Sequence, residues 1–76
     1  MQWIIMKKTR AYPGPTRRNA YCNTETCVEA GVEPGKVYDD EEEAKRDAEK
    51  LGQANPVGFV AVLLGDAQGE KPCSHL

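Results

Sequence analysis

The most chemically versatile side chains in the sequence belong to three cysteines and one histidine. Cys22 and Cys27 have four residues between them, and Cys73 and His75 have one. Thiolate sulfur and imidazole nitrogen are the usual ligands of tetrahedral structural zinc. Paired ligands in such sites commonly have about two to four residues between them, so the single residue between Cys73 and His75 departs from the pattern. A zinc site at Cys22, Cys27, Cys73 and His75 is one hypothesis, and our leading expectation is that no cofactor is bound.

The cysteines have two other interpretations. An odd number of cysteines argues against a fully paired disulfide framework. The apolar segment Met1 to Met6 is shorter than a signal peptide, and lysines follow it rather than precede it. We therefore expect a cytoplasmic protein, in which thiols are kept reduced. Isolated reduced thiols are the preferred interpretation, and a Cys22–Cys27 disulfide is the remaining alternative.

Catalysis finds little support in the sequence. A cysteine nucleophile needs a base held beside it and a third group that orients the base. His75 is two residues from Cys73, but we expect no water-excluding pocket around this pair. The glycines are scattered, and none lies between a buried strand and the start of a helix, as a phosphate-binding loop requires. We expect a protein that is not an enzyme.

Charge is distributed unevenly along the chain. Residues 1–24 contain five basic and no acidic residues, whereas residues 25–76 contain five basic and all 12 acidic residues, a net charge of −7. Such asymmetry is typical of proteins with an electrostatic partner. The alternative is that the two regions neutralise each other within the fold.

The basic region predicts one kind of partner. Basic side chains interleaved with aromatic ones suit contact with a nucleic-acid backbone and stacking on its bases. The sequence contains neither of the common RNA-binding signatures of RRM or KH domains, and the chain as a whole is acidic. Nucleic-acid binding is therefore the second hypothesis for function, and its candidate residues are Lys7, Lys8, Arg10, Tyr12, Arg17 and Arg18.

The acidic region predicts a different kind of partner, which is another protein. Asp40 is a good helix N-cap, and Glu43 completes a capping-box pattern three residues later. Ala44, Ala48 and Leu51 form a narrow apolar stripe at helical spacing, so we expect a helix over about residues 40–52. Its acidic face suits a basic surface on a partner protein, and a solvated, well-capped helix explains the same residues. The candidate partner-binding residues are Asp39, Asp40, Glu41, Glu42 and Glu49.

The elements that must position these residues give the fold class. The segment 3–8 and the β-branched run 57–64 are the two most strand-like segments, and we expect them to pair. Short strands are also expected around Tyr21 and Cys22 and at Val37 and Tyr38. The prediction is an α+β fold with a small antiparallel or mixed sheet of three to four strands and one helix packed on one face. Residues 1–65 would form a single domain, and residues 66–76 a flexible C-terminal tail.

The segment from Lys36 to Gly52, followed by residues 57–64, resembles a recurrent module of small phage and mobile-element proteins. These have an N-terminal strand, a loop, an aromatic-Asp-x-x-x-x-Ala helix and a closing strand. Some anti-CRISPR proteins and other host-takeover inhibitors are built on similar α+β scaffolds. The resemblance implies a non-enzymatic protein that inhibits a host or bacterial protein by occupying its surface. We expect no membrane association, and either a monomer or a homodimer.

Overall fold

The computed structural model describes residues 1–8 and 16–64 of the 76-residue chain. The predicted tail over residues 66–76 lies outside the described residues, and the division into domain and tail stays a prediction. In the described part, the elements follow one another as strand β1 (Gln2–Lys7), a 3-10 turn (Arg17–Asn19), helix α1 (Thr24–Ala30), helix α2 (Glu41–Ala54) and strand β2 (Phe59–Leu64).

The two strands pair, as the sequence predicts, and their orientation is antiparallel. Gln2 lies opposite Leu64, and Lys7 lies opposite Phe59. The predicted sheet of three to four strands is wrong, because β1 and β2 are the only strands among the described residues. The α+β class itself is confirmed, with two helices rather than one.

The alternation of side chains along β1 divides the core into two parts. Ile5 belongs to the larger cluster, which lies between the sheet and helix α2. Ile4 and Met6 point to the opposite face, where they pack with Ala20 and Leu64. Successive side chains in a strand point to opposite faces, so the six residues of β1 serve both clusters. Helix α2 is thereby fixed against one face of the sheet only.

The two strands expected at Tyr21 and Tyr38 are reduced to single contacts on the outer side of β1. Trp3 and Tyr38 form an isolated antiparallel bridge, with both N–H to carbonyl distances at 2.8 Å. The Tyr21 N–H donates to the carbonyl oxygen of Ile5, also at 2.8 Å. Neither contact extends into a strand, since the N-cap of α2 follows Tyr38 almost at once and α1 begins shortly after Tyr21.

Helix α1 is the element that the sequence interpretation missed. The side chain of its N-cap, Asn23, accepts a hydrogen bond from the Thr26 N–H at 3.0 Å. Gly31 ends the helix in the left-handed conformation, with φ of 75°. A side chain is strained at this φ, so glycine suits the position. The signals were therefore an Asn and a Gly at the two ends of a seven-residue segment.

Helix α2 begins where the capping pattern predicts and ends later. Asp40 is its N-cap, and the carboxylate accepts from the Glu42 N–H at 3.3 Å. The helix continues past Gly52, the expected stop, to Ala54, and the Asn55 N–H donates to the carbonyl of Leu51. Within residues 1–8 and 16–64, no helix has the length and apolar composition needed to cross a membrane.

Candidate functional site

Two acidic residues of α2 are engaged inside the fold, and Asp47 is the first. The Tyr38 hydroxyl donates to Asp47 Oδ2 at 2.6 Å, and only 2% of the Tyr38 surface is exposed. Lys50 Nζ lies 3.7 Å from Asp47 Oδ1. Burial raises the pKa of the Tyr38 hydroxyl far above its usual value, and the hydrogen bond to the Asp47 carboxylate raises it further. Asp47 therefore satisfies a buried polar group that would otherwise lack a partner.

Glu43 has a similar role beside it. Lys36 Nζ lies 2.9 Å from Glu43 Oε2 and 4.9 Å from the centre of the Tyr38 ring. The hydrogen bond to Glu43 raises the pKa of Lys36, although partial burial acts in the opposite direction. Both side chains of the ion pair are partly exposed, so its contribution to stability is about 0–1 kcal/mol. These contacts fasten the segment before α2 to the side of the helix.

The predicted partner-binding set divides into residues with local roles and residues without them. Asp40 caps the helix, and Glu41 Oε2 lies 3.1 Å from Lys45 Nζ, one turn further on. The exposed side chains of Asp39, Glu42 and Glu49 form no hydrogen bond or ion pair with any residue that the structure describes. Within the predicted set, the last three are therefore the carboxylates that have no role in the described part of the fold.

The positions of these residues on α2 define an outward face. Glu42, Arg46 and Glu49 recur at helical spacing on the side opposite the buried stripe of Ala44 and Ala48. With Lys45, they border a shallow surface depression of about 280 Å³. The face carries both signs of charge, unlike the uniformly acidic face that the sequence interpretation assumed. We call the following residues the outward face of α2: Glu42, Lys45, Arg46 and Glu49.

Two of the basic candidates lie close together on a different part of the molecule. Lys7 from β1 and Arg18 from the 3-10 turn line one open pocket of about 470 Å³, together with Asn19, Tyr21 and Asn23. The structure thus brings together basic groups that are 11 residues apart in sequence, between Lys7 and Arg18.

The remaining basic candidates are placed less closely. The Arg17 Nη2 donates to Gln2 Oε1 at 3.4 Å, and Lys8 is exposed. Arg10 and Tyr12 lie outside the described residues. Of the six candidates, the pocket therefore contains two.

The cysteines differ from the expectation of isolated reduced thiols. Cys22 is disulfide-bonded, with its partner outside the described residues, whereas Cys27 is free and fully buried in the larger core cluster. The Cys22–Cys27 disulfide is therefore wrong. Burial raises the pKa of the Cys27 thiol, which disfavours the thiolate that zinc binding or nucleophilic attack needs.

The described part of the chain gives little support to a zinc site. A sulfur in a disulfide is not a thiolate ligand, so Cys22 would have to be reduced first. No group of three His, Cys, Asp or Glu side chains in the ranges 1–8 and 16–64 is arranged to hold a metal ion. Cys73 and His75 lie outside these ranges, and zinc binding stays a prediction.

Comparison with protein-family models, with curated proteins and with solved structures found no match. The resemblance to phage-encoded inhibitors therefore stays a prediction. Functional proposals for this chain rest on its own residues and their geometry.

Proposed function

We propose that this protein is a non-enzymatic binding module whose outward face of α2 occupies a surface of complementary charge on a partner protein. The observation that carries the proposal is the exposure of Glu42 and Glu49, which have no partner among the described residues. Glu43 and Asp47, on the flank of the same helix, are used by the fold. The acidic residues of α2 that stability does not require are thus the ones that point to solvent.

Electrostatics gives such a face a role in recognition. Complementary charges accelerate encounter and fix the orientation of a partner more than they add to affinity. Lys45 and Arg46 lie between Glu42 and Glu49, so the complementary surface would have lysines or arginines flanking an acidic or neutral centre. The resemblance to host-takeover inhibitors suggests a host or bacterial protein that handles nucleic acid, as in anti-CRISPR proteins.

The test compares two matched pairs of neutralised glutamates. In the first variant, Glu42→Gln and Glu49→Gln neutralise the outward face of α2. In the control, Glu25→Gln and Glu29→Gln remove the same charge from exposed positions on α1. Glu25 and Glu42 both lie in the first turn of their helices, so the loss of favourable helix-dipole interaction is matched as well.

The readout is affinity capture of tagged proteins from bacterial lysate, with and without nuclease, followed by titration of the purified partner. We expect a nuclease-resistant complex that the α1 control retains and that the α2 variant binds at least about tenfold more weakly, which corresponds to about 1.4 kcal/mol. Equal affinities of the two variants would refute the assignment of the outward face of α2 as the binding surface.

A second candidate function is favoured by the pocket that Lys7 and Arg18 share. Lys7 and Arg18 offer positive charge to the phosphates of a single strand. Binding of a fluorescent single-stranded oligonucleotide, measured over a series of salt concentrations, tests this candidate. If Lys7 neutralises one phosphate, Lys7→Gln should lower the magnitude of the salt slope by about 0.7, the value for a single strand. The control Lys50→Gln, on α2, should leave the slope unchanged.

Cytoplasmic location remains a proposal, and the disulfide at Cys22 argues against it. Disulfides persist mainly in oxidising compartments and are rare where glutathione keeps thiols reduced. Mass spectrometry of protein isolated from cells with its thiols alkylated would measure the oxidation state of Cys22. This would decide between a reducing and an oxidising compartment. A reduced Cys22 would support the cytoplasmic proposal, and an oxidised one would place the protein in an oxidising compartment.

A further inference from the structure

The outer edge of β2 carries backbone groups that have no hydrogen-bond partner among residues 1–8 and 16–64. The Lys8 N–H donates to the Gly58 carbonyl at 3.1 Å, which fixes the hydrogen-bonding phase of the antiparallel pair. In such a pair, the residues that bond to the neighbouring strand alternate with residues whose N–H and C=O point away. The backbone groups of Phe59, Ala61 and Leu63 therefore point outward. No strand of residues 1–8 or 16–64 pairs with this edge.

The two edges of the sheet differ sharply. On the outer side of β1, Tyr38 and Tyr21 bond to Trp3 and Ile5. On the outer side of β2, the sequence Phe-Val-Ala-Val-Leu-Leu contains neither a charge nor a proline. Monomeric proteins commonly protect exposed edges with lysine, proline or a bulge, because an unprotected edge pairs with another strand. The outer edge of β2 has none of these features.

We propose that two copies of this chain pair antiparallel through their β2 strands, with the two-fold axis at Ala61. In this register Ala61 lies opposite Ala61 of the second copy, and Phe59 lies opposite Leu63. All outward N–H and C=O groups of Phe59, Ala61 and Leu63 are then used by the complementary groups of the second copy. The result is a continuous antiparallel sheet in the order β1–β2–β2–β1, with both α2 helices on one face.

The side chains are complementary in the same register. Leu63, which is 41% exposed, lies beside Phe59 of the second copy. On the opposite face Val60 lies beside Val62, and cross-strand pairs of apolar side chains stabilise a sheet. Ala61 places its small side chain at the axis, where the two α2 helices come closest. A single two-fold operation therefore satisfies both the backbone and the side chains of this edge.

A second copy fits this edge better than an unrelated charged peptide. The groove beside the edge is about 300 Å³ and is bordered by Lys8, Lys45 and Glu49 as well as by Val60 and Ala61. It presents both signs of charge, which a two-fold axis can place against each other. A two-stranded sheet is marginal by itself, and a domain of this length has a small core, so doubling the sheet adds stability where it is needed.

Concentration-dependent mass, measured by sedimentation equilibrium or light scattering, tests the dimer. The wild-type protein should approach twice the single-chain mass of 8.4 kDa as concentration rises. Leu63→Lys puts a charge into the interface and should remain at the single-chain mass. The matched control is Val28→Lys, which makes the same kind of change at a 70% exposed position on α1 and should dimerise like the wild type. A wild-type protein of single-chain mass at all concentrations would overturn the proposal, as would a Leu63→Lys variant that dimerises normally.

Hydrogen exchange on the wild-type protein gives a second test that no variant can confound. The amides of Ala61 and Leu63 should become at least about tenfold more protected between dilute and concentrated samples, whereas those of Val60 and Val62 should change little. Protection of Ala61 and Leu63 that does not depend on concentration would mean that another part of the same chain covers the edge, and it would contradict the dimer. The dimer does not rest on the proposed function: pairing uses the backbone of β2, and its mass is measured without any partner protein.

Discussion

The flank of α2 that faces Tyr38 and the side of α2 that faces solvent both carry carboxylates, but with different consequences. On the flank, Asp47 accepts a hydrogen bond from the buried Tyr38 hydroxyl, and Glu43 pairs with Lys36. On the solvent side, Glu42 and Glu49 have no partner among the described residues. The residue types are alike, so the difference comes from what each helix position faces.

The carboxylates of a charge-rich helix can have two roles, one in the fold and one in recognition. A carboxylate that satisfies a buried hydroxyl is part of the fold, because its loss leaves a polar group unpaired. A solvated carboxylate contributes little to stability and is therefore available for recognition. Substitutions on the two sides should thus differ in what they damage, and the predictions below follow from the largest expected effect to the smallest.

The largest loss of stability is expected in the buried stripe of α2. Leu51, which is 1% exposed, packs in the larger core cluster. Leu51→Ala should lower the free energy of unfolding by about 2–5 kcal/mol, because it removes apolar contacts and leaves a cavity. Gln53→Ala, at an exposed position of the same helix, should change it by less than about 0.5 kcal/mol. Chemical denaturation followed by circular dichroism measures both, and similar values would mean that α2 does not pack as described.

The second-largest loss of stability is expected at Asp47, the carboxylate on the flank of α2. Asp47→Ala removes the acceptor of the Tyr38 hydroxyl and should cost about 1–3 kcal/mol of unfolding free energy. Adding Tyr38→Phe removes the unpaired hydroxyl, so the double variant should be less destabilised than the two single changes added together. Glu49→Ala is the matched control on the solvent side and should be nearly neutral. Additive single effects would show that the 2.6 Å hydrogen bond does not couple these residues.

The hydrogen bond between Tyr38 and Asp47 should also make the stability of the protein depend on pH in the alkaline range. The folded-state pKa of Tyr38 is raised, so the hydroxyl stays protonated when an unfolded tyrosine, with a pKa of about 10, ionises. Stability is therefore fully present below about pH 10 and falls above it, by up to about 1.4 kcal/mol per pH unit for this one group. Lys36, whose pKa is also raised, contributes a loss of the same sign in the same range. Denaturation midpoints should thus fall less steeply above about pH 10 in Tyr38→Phe than in the wild type, and parallel curves would contradict this.

The regions that could be predicted from the sequence are those where local signals agree. The strand-like segment 3–8 and the β-branched run 57–64 correctly indicated that β1 and β2 pair. Asp40 marked the start of α2, because an N-cap acts within its own first turn. These features depend on residues close together in sequence.

The features that were missed depend on tertiary context. A strand at Tyr38 is reasonable from residue type, but one bridge to Trp3 is all that fits before α2 begins. Helix α1 is short and has no long apolar stripe, so only its end residues signal it. The partner of Asp47 is nine residues away and is not on the same helix, so no spacing rule distinguishes Asp47 from Glu49. The contacts of Glu43 with Lys36 and of Asp47 with Tyr38 were accordingly not predicted.

The most direct test of these two roles of the α2 carboxylates measures stability and binding on the same variants. Asp47→Ala should lower the free energy of unfolding, whereas the double variant Glu42→Gln with Glu49→Gln should unfold like the wild type and lose affinity for the captured partner. That separation is the result our account predicts. A double variant that binds the partner as tightly as the wild type, or one that is as destabilised as Asp47→Ala, would contradict it.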